Sequence, residues 1–323
     1  MAVTNRRLVV TGSWEVLMVP WPARLGTLLV AVISGAAVQA GAQPPPPMGA
    51  REWNHVRFAG ESEVRVRTAW EAGGGSAKVT LSVPGRAPVE LHDGAQVFTA
   101  VATRGSVVFA AVTELSPGGE LSLSTVDLAG DGRRRELTAR FPGGRTLIPS
   151  TVVATPDADG FTVLWQALAA NDLRGATTVM MRVRADGSWI DRPREVAVPW
   201  ALADIAWNGR GYHLALYFDG QGPSETRLSM VTLSADGAPE QHPWWASQPG
   251  LVDEVQLVRA GDRIVAVYRG GREGTELRRR DVTDVGQWGG NVAPGATEGR
   301  ITRAEEYVAV ERAGRVVVER RRF

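Results

Sequence analysis

Trp244 and Trp245 stand side by side, just after His242 and Pro243, in an irregular stretch of a 323-residue chain. Two indoles offer large flat apolar faces with one N–H donor each, the equipment for stacking on a sugar ring or holding a peptide. Trp200 holds the corresponding place one repeat earlier. Carboxylates form the second candidate set: Asp204, Asp253 and Glu254. Two carboxyl groups held about 5 to 9 Å apart can act as acid and base in glycoside hydrolysis. The ligand-binding expectation therefore covers Trp200, Asp204, His242, Trp244, Trp245, Asp253 and Glu254, with no catalytic residue and no metal ligand assigned.

Other constellations fall short of a chemistry. The four histidines, His55, His92, His213 and His242, sit in no nucleophile motif, and no Gly-x-Ser-x-Gly elbow occurs. Their spacing suits no tetrahedral metal site. Asp157 and Asp159 offer oxygens of the kind calcium takes, yet hairpin geometry alone accounts for them. No cofactor is expected, with calcium the one candidate. Arg278-Arg279-Arg280 cannot act as one basic cluster on a strand, because alternate residues face opposite ways.

The elements that would position these residues announce themselves by repetition. A five-residue apolar pattern recurs six times, at residues 66–70, 108–112, 161–165, 212–216, 264–268 and 307–311. The interval of about 42 to 53 residues is that of a four-stranded propeller blade. Asn208-Gly209, Asp131-Gly132, Asp159-Gly160 and Asp186-Gly187 supply the positive φ that tight hairpins need. The expected fold is all-β, a six-bladed β-propeller of four-stranded antiparallel blades preceded by a signal peptide. Blades are expected at 51–95, 96–145, 146–198, 199–250, 251–295 and 296–323. The last has three strands, near 299–303, 307–311 and 315–320, so that a segment near residues 43–52 would have to close the ring. Gln166–Thr177, Asp219–Thr226, Glu114–Glu120 and Gln241–Leu251 read as long connections gathered on one face, where a ligand would sit.

Composition narrows the classes. The chain is 44% hydrophobic and has no cysteine, so disulfides, thiolate metal sites and cysteine nucleophiles are excluded. Net charge is +1, and removing residues 1–42, which carry Arg6, Arg7 and Arg24 against Glu15, leaves about −1. No nucleic-acid footprint is visible in that balance. Leu25 to Val38 is an apolar run of about 14 residues, led by Arg24 and followed by small-residue cleavage patterns, which reads as a secretory signal. It is shorter than the roughly 20 residues that span a bilayer, so no stable membrane span is expected after cleavage. The domain reading is 1–42 signal peptide, 43–50 proline-rich linker and 51–323 propeller, with a start at Met1 or Met18 and a periplasmic or extracellular destination.

Trp207-Asn208-Gly209, Tyr212, Ala235-Asp236-Gly237 and Ala185-Asp186-Gly187 resemble the repeats of secreted bacterial β-propeller proteins. The resemblance covers roughly half the chain and implies a fold and an extracytoplasmic setting, with no catalytic residues to carry over. The sialidase repeat Ser-x-Asp-x-Gly-x-x-Trp is only approached by Arg184–Trp189, which lacks the serine and places the tryptophan one position early. The functional expectation is a binding or scaffold protein acting through the long-loop face, with a glycan, peptide or envelope protein as partner. The alternative is a propeller-type glycoside hydrolase or lyase with its site at the central channel.

Overall fold

In the computed structural model, the residues described are 8–9, 15–16, 52–59, 62–70, 76–95, 97–116, 118–144, 147–169, 172–198, 200–218, 226–240, 243–247, 250–271, 274–283, 296–302 and 305–322. A short pairing of β1 (Leu8–Val9) with β2 (Glu15–Val16) precedes the main body. Five four-stranded antiparallel sheets follow. They are β3 (Glu52–Ala59) to β6 (Val89–Ala95), β7 (Val97–Arg104) to β10 (Arg134–Ala139), and β11 (Leu147–Pro156) to β14 (Trp189–Val196). The fourth is β15 (Ala201–Trp207), β16 (Gly211–Phe218), β17 (Arg227–Ser234) and β18 (Trp244–Trp245). The fifth is β19 (Asp253–Ala260), β20 (Arg263–Gly270), β21 (Glu276–Asp281) and β22 (Ala296–Arg300). A two-stranded sheet, β23 (Glu305–Arg312) with β24 (Arg315–Arg322), ends the series.

Each sheet meanders outward in sequence order, and the innermost strands β3, β7, β11, β15, β19 and β23 pack side by side in a circle, with β23 returning to β3. This is a β-propeller with five four-stranded blades rather than six, the sixth position being held by the two-stranded sheet. The difference arises at residues 296–300. They were expected to open the sixth blade, but instead pair with β21, Glu276 opposite Arg300, and complete the fifth. Only two strands then remain for the last position. Residue 52 belongs to the innermost strand of the first blade, and the closing segment expected from residues 43 to 51 lies outside the described residues, as do the proposed signal peptide's apolar run and the proline linker.

The second strands explain the repeated apolar runs. From the second blade to the fifth, a second strand has a neighbouring blade against each of its faces, so both faces are buried and the run is continuous rather than alternating. Phe161, Val163, Leu164 and Trp165 of β12 (Gly160–Ala169), and Tyr212, Leu214, Ala215 and Leu216 of β16, are all fully buried. The apolar clusters lie in the seams between successive sheets: Phe109, Phe161 and Trp165 between the second and third blades, Leu164, Leu202 and Leu216 between the third and fourth. In the third blade the expected loop Gln166–Thr177 is mostly strand, since β12 runs to Ala169 and β13 (Asp172–Arg184) begins three residues later.

Side chains stitch successive blades to one another. Gln166 Nε2 donates to Trp200 O (3.1 Å) and Leu202 N donates to Gln166 Oε1 (3.3 Å). Leu257 N donates to Asp204 Oδ2 (2.7 Å), tying the fourth blade to the fifth. Gln256 donates to Tyr307 O and accepts from Ala309 N, both at 2.9 Å, so its amide imitates a missing strand pairing with β23. Buried backbone groups left unpaired are costly, and these side chains satisfy several of them at the ring's inner edge.

Candidate functional site

The strand order sends the second-to-third and blade-to-blade connections to one face, the long-loop face, and the first-to-second turns to the other. Phe218 ends β16 and Arg227 begins β17, paired directly across the mouth of that connection. Trp200 immediately precedes β15, and Trp245 lies opposite Ser229 in β18. All four side chains therefore project from the same side of the fourth blade at its long-loop end. The Trp200 and Trp245 rings are stacked, with centroids 5.8 Å apart and planes 11° from parallel. Phe218 meets each edge-on, at 4.8 and 4.7 Å. Arg227 places its guanidinium carbon 5.1 Å from the Trp245 ring centre, a cation–π contact. Trp200, Phe218, Arg227 and Trp245 are each partly exposed, and together they form an aromatic ledge at the seam with the third blade.

Trp244 does not share that ledge. Segment 241–251, read from sequence as an irregular connection, contains β18, and neighbouring residues on a strand face opposite ways. Trp244 accordingly turns into the seam between the fourth and fifth blades, 3% exposed among Tyr217, Met230 and Tyr268. His242 lies outside the described residues.

The carboxylates behave differently. Three inner strands carry bulges against their second strands, between Pro149 and Thr151, Leu202 and Asp204, and Asp253 and Gln256. Bulges re-aim side chains, and here Thr151, Asp204 and Glu254 line the central channel. Asp204 Oδ1 accepts from Ile205 N (2.9 Å) and Oδ2 from Leu257 N. Burial pushes its carboxyl up to about 6, against the opposing pull of Arg57 and these two N–H groups. Glu254 is also raised by burial, opposed by Arg269, which donates to it from Nε. Its backbone sits in the left-handed region at φ 49°, where Asp253 Oδ1 accepts its N–H (2.9 Å) and Tyr307 donates to its carbonyl. Asp253 itself lies beside Tyr217, whose hydroxyl is raised far above its usual range by burial and then by that carboxylate. Asp204 and Glu254 thus share a wall, while each has a partner that holds the ring together.

His55, unnoticed as a channel residue in the sequence, lines the same space; burial first, then the Arg57 charge, push its imidazole down to about 3. The channel has two parts. A cavity of about 130 Å³ lies toward the long-loop face and one of about 820 Å³ opens on the tight-turn face. Arg57, Val101, Ala154, Asp204 and Gln256, one from each of five inner strands, border both and form a waist.

The aspartates considered for calcium are engaged elsewhere. Asp157 accepts from Asp159 N (2.9 Å), Gly160 N (2.8 Å), Thr162 Oγ1 (2.7 Å) and Arg182 Nε (2.9 Å), while Asp159 pairs with Arg182 Nη2 (2.9 Å). Among the described residues no three His, Asp or Glu side chains gather as a metal-holding group.

Fold and geometry together define an all-β propeller with an aromatic ledge on its long-loop face and a waisted channel. No family model matches the chain, and no curated protein does. Among solved structures it is similar to Trypanosoma rangeli sialidase in complex with the inhibitor DANA, with 11% identity and a TM-score of 0.50, over 82% of this chain and 51% of that one. This chain thus spans about half of that sialidase. The GH43 endo-arabinanase from Bacillus licheniformis (11% identity, TM-score 0.42, 71% of this chain, 92% of that chain) is also similar. So is the β-propeller domain of the Trilobed protease from Pyrococcus furiosus (11%, 0.41, 84% and 82%). At such identities the likeness is one of fold.

Proposed function

We propose that the chain is an exported binding protein that holds a glycan on the long-loop face of the propeller, with Trp200 and Trp245 as the stacking surface. The observation that carries the reading is the parallel, partly exposed Trp200–Trp245 pair, flanked by Phe218 and the Arg227 guanidinium. Sugar rings present apolar C–H faces to such surfaces, and an adjacent arginine adds donors for hydroxyl or carboxylate groups. Export rests on the Arg24-led apolar run from Leu25 to Val38. The alternative, a glycoside hydrolase or lyase working in the channel, draws on Asp204 and Glu254, two channel carboxyls both raised by burial. It also requires that one of them be released from its present partner, Leu257 N or Arg269.

Thermal unfolding against a panel of glycans, cell-wall fragments and peptides tests the proposal. A ligand at about 100 times its dissociation constant adds roughly 2.7 kcal/mol, raising Tm by about 5 to 10 °C for a chain of this size. Trp245→Ala should abolish a glycan-induced shift while costing only about 1 kcal/mol of stability. Trp244→Ala should instead cost about 3 to 5 kcal/mol, as a buried core truncation. A shift produced by peptides alone would replace the glycan. A glycan shift that survives Trp245→Ala would refute the ledge as its site.

A further inference from the structure

We infer that the large chamber on the tight-turn face is a second binding site, for a compact monocarboxylate with an apolar body, anchored by Arg57. Arg57 stands at the waist, bordering both cavities. A guanidinium carries five N–H donors in a rigid fork. One of them is used: Nη1 donates to Val56 O at 3.0 Å. Among the described residues Arg57 has no direct ion pair, whereas Arg182, Arg269 and Arg278 each hold a carboxylate. Arg57 borders a space of about 820 Å³, within the range of small-molecule sites.

The neighbours of Arg57 decide the class of ligand. Asp204 and Gln256 at the waist each hold backbone groups of Leu257, Tyr307 and Ala309, and Arg57 is the cation among them, with most of its donors beyond its bond to Val56 O. The Asp204 carboxylate opposes a second negative charge close by, which disfavours a phosphate dianion and leaves a single carboxylate as the matching charge. A planar carboxylate also fits the guanidinium fork in two parallel N–H···O bonds. Above the waist the chamber wall is mixed: Phe58, Ile205, Trp207, Leu257 and Val310 supply an apolar share, beside Thr103, Thr155, Asp157 and Glu311. The chamber's other two arginines lie at the ends of their strands, away from the waist: Arg312 lies over the Phe58 ring and is paired with Glu319, and Arg259 donates to Gly261 O at 2.9 Å. The ligand's charged end belongs at the floor, its apolar end toward the opening.

Benzoate, with benzamide and inorganic phosphate as controls, is the probe. Titration of the whole chain, followed by calorimetry and by tryptophan emission, since Trp207 lines the chamber, should show saturable one-to-one binding of benzoate. Benzamide and phosphate should bind about tenfold or more weakly, and Arg57→Gln should weaken benzoate by about 10- to 100-fold. Arg57→Lys, which keeps the charge without the fork, should fall between, and it guards against a variant that fails to fold. Trp245→Ala should leave benzoate binding intact, which separates this chamber from the ledge. Failure of benzoate to saturate by about 10 mM, a dissociation constant too weak to reflect a built site, would overturn the inference. Undiminished binding to a folded Arg57→Gln variant, or phosphate binding as well as benzoate, would overturn it too.

Discussion

His55 and Asp204 face one channel yet pull the stability of the ring in opposite directions as pH changes. Asp204 titrates at about 6 in the folded chain, against 3.8 for an ordinary aspartate, because burial disfavours its charged form. A carboxyl raised in this way binds more protons when folded. Its contribution is complete below about pH 4 and is lost as pH rises to about 6. His55 titrates at about 3 against an ordinary 6.5, again chiefly through burial. Its contribution is complete above pH 6.5 and is lost as pH falls toward 3. Between about pH 4 and 6 each changes stability by up to about 1.4 kcal/mol per pH unit, with opposite sign, so the two cancel in the native chain. Asp204→Asn removes the falling limb. Relative to the native chain it should gain about 2 kcal/mol between pH 4 and 6, out of the roughly 3 kcal/mol that the whole two-unit displacement represents. His55→Gln should lose about the same amount over the same window. Urea unfolding at pH 4, 5, 6 and 7 yields both differences, and Glu254, raised in all three proteins, drops out of them. Flat differences across the window would refute the burial of these two groups.

Two more outcomes follow from local geometry. Gly237 lies at φ 77°, and a Cβ there would stand 2.6 Å from Met180 Sδ; Gly143 lies at φ 76° with nothing near its Cβ position. Gly237→Ala should therefore cost clearly more than the roughly 1 to 2 kcal/mol of backbone strain that Gly143→Ala carries, read by thermal unfolding, and equal losses would count against the contact. Arg269 donates to Glu254, to Thr302 O (2.9 Å) and to Glu305 O, and it is buried. Arg269→Ala should cost about 3 to 5 kcal/mol and lower the hydrogen-exchange protection of β23; unchanged protection there would show that Arg269 does not hold the hairpin.

The sequence announces second strands far better than it orders them. Five of the six repeated runs fall on second strands; in four of them burial on both faces imposes a continuous apolar stretch, whereas in the first blade's second strand, Ser62–Trp70, burial alternates and Arg67 is exposed. The sixth, Tyr307 to Glu311, belongs to an innermost strand, β23, since an inner strand between two sheets carries the same composition. That shift of one strand is how six blades were expected where five and a hairpin occur. The Trp200 and Trp245 ledge was half visible. Trp244 and Trp245 read as a pair in a connection, and only the two-residue strand, too short for any periodic signal, sends them to opposite seams. Phe218 and Arg227 flank a connection recognised from sequence, so their cross-strand pairing was within reach. Arg57 was not, because no local pattern marks which residue of an inner strand meets the channel.

Five of the ring's seams are sealed by apolar clusters. Among the described residues, the seam where β23 meets β3 carries instead the contact of Arg312 with Phe58, 5.5 Å from ring centre to guanidinium carbon. Every sheet is assembled from strands consecutive in the chain, whereas this junction joins residues about 250 positions apart. Bringing such distant points together costs roughly 5 kcal/mol of chain entropy. Folding should therefore run blade by blade through local pairings, with the circle completed last. On unfolding, this junction is the point at which the circle opens into an arc, still built of largely intact sheets.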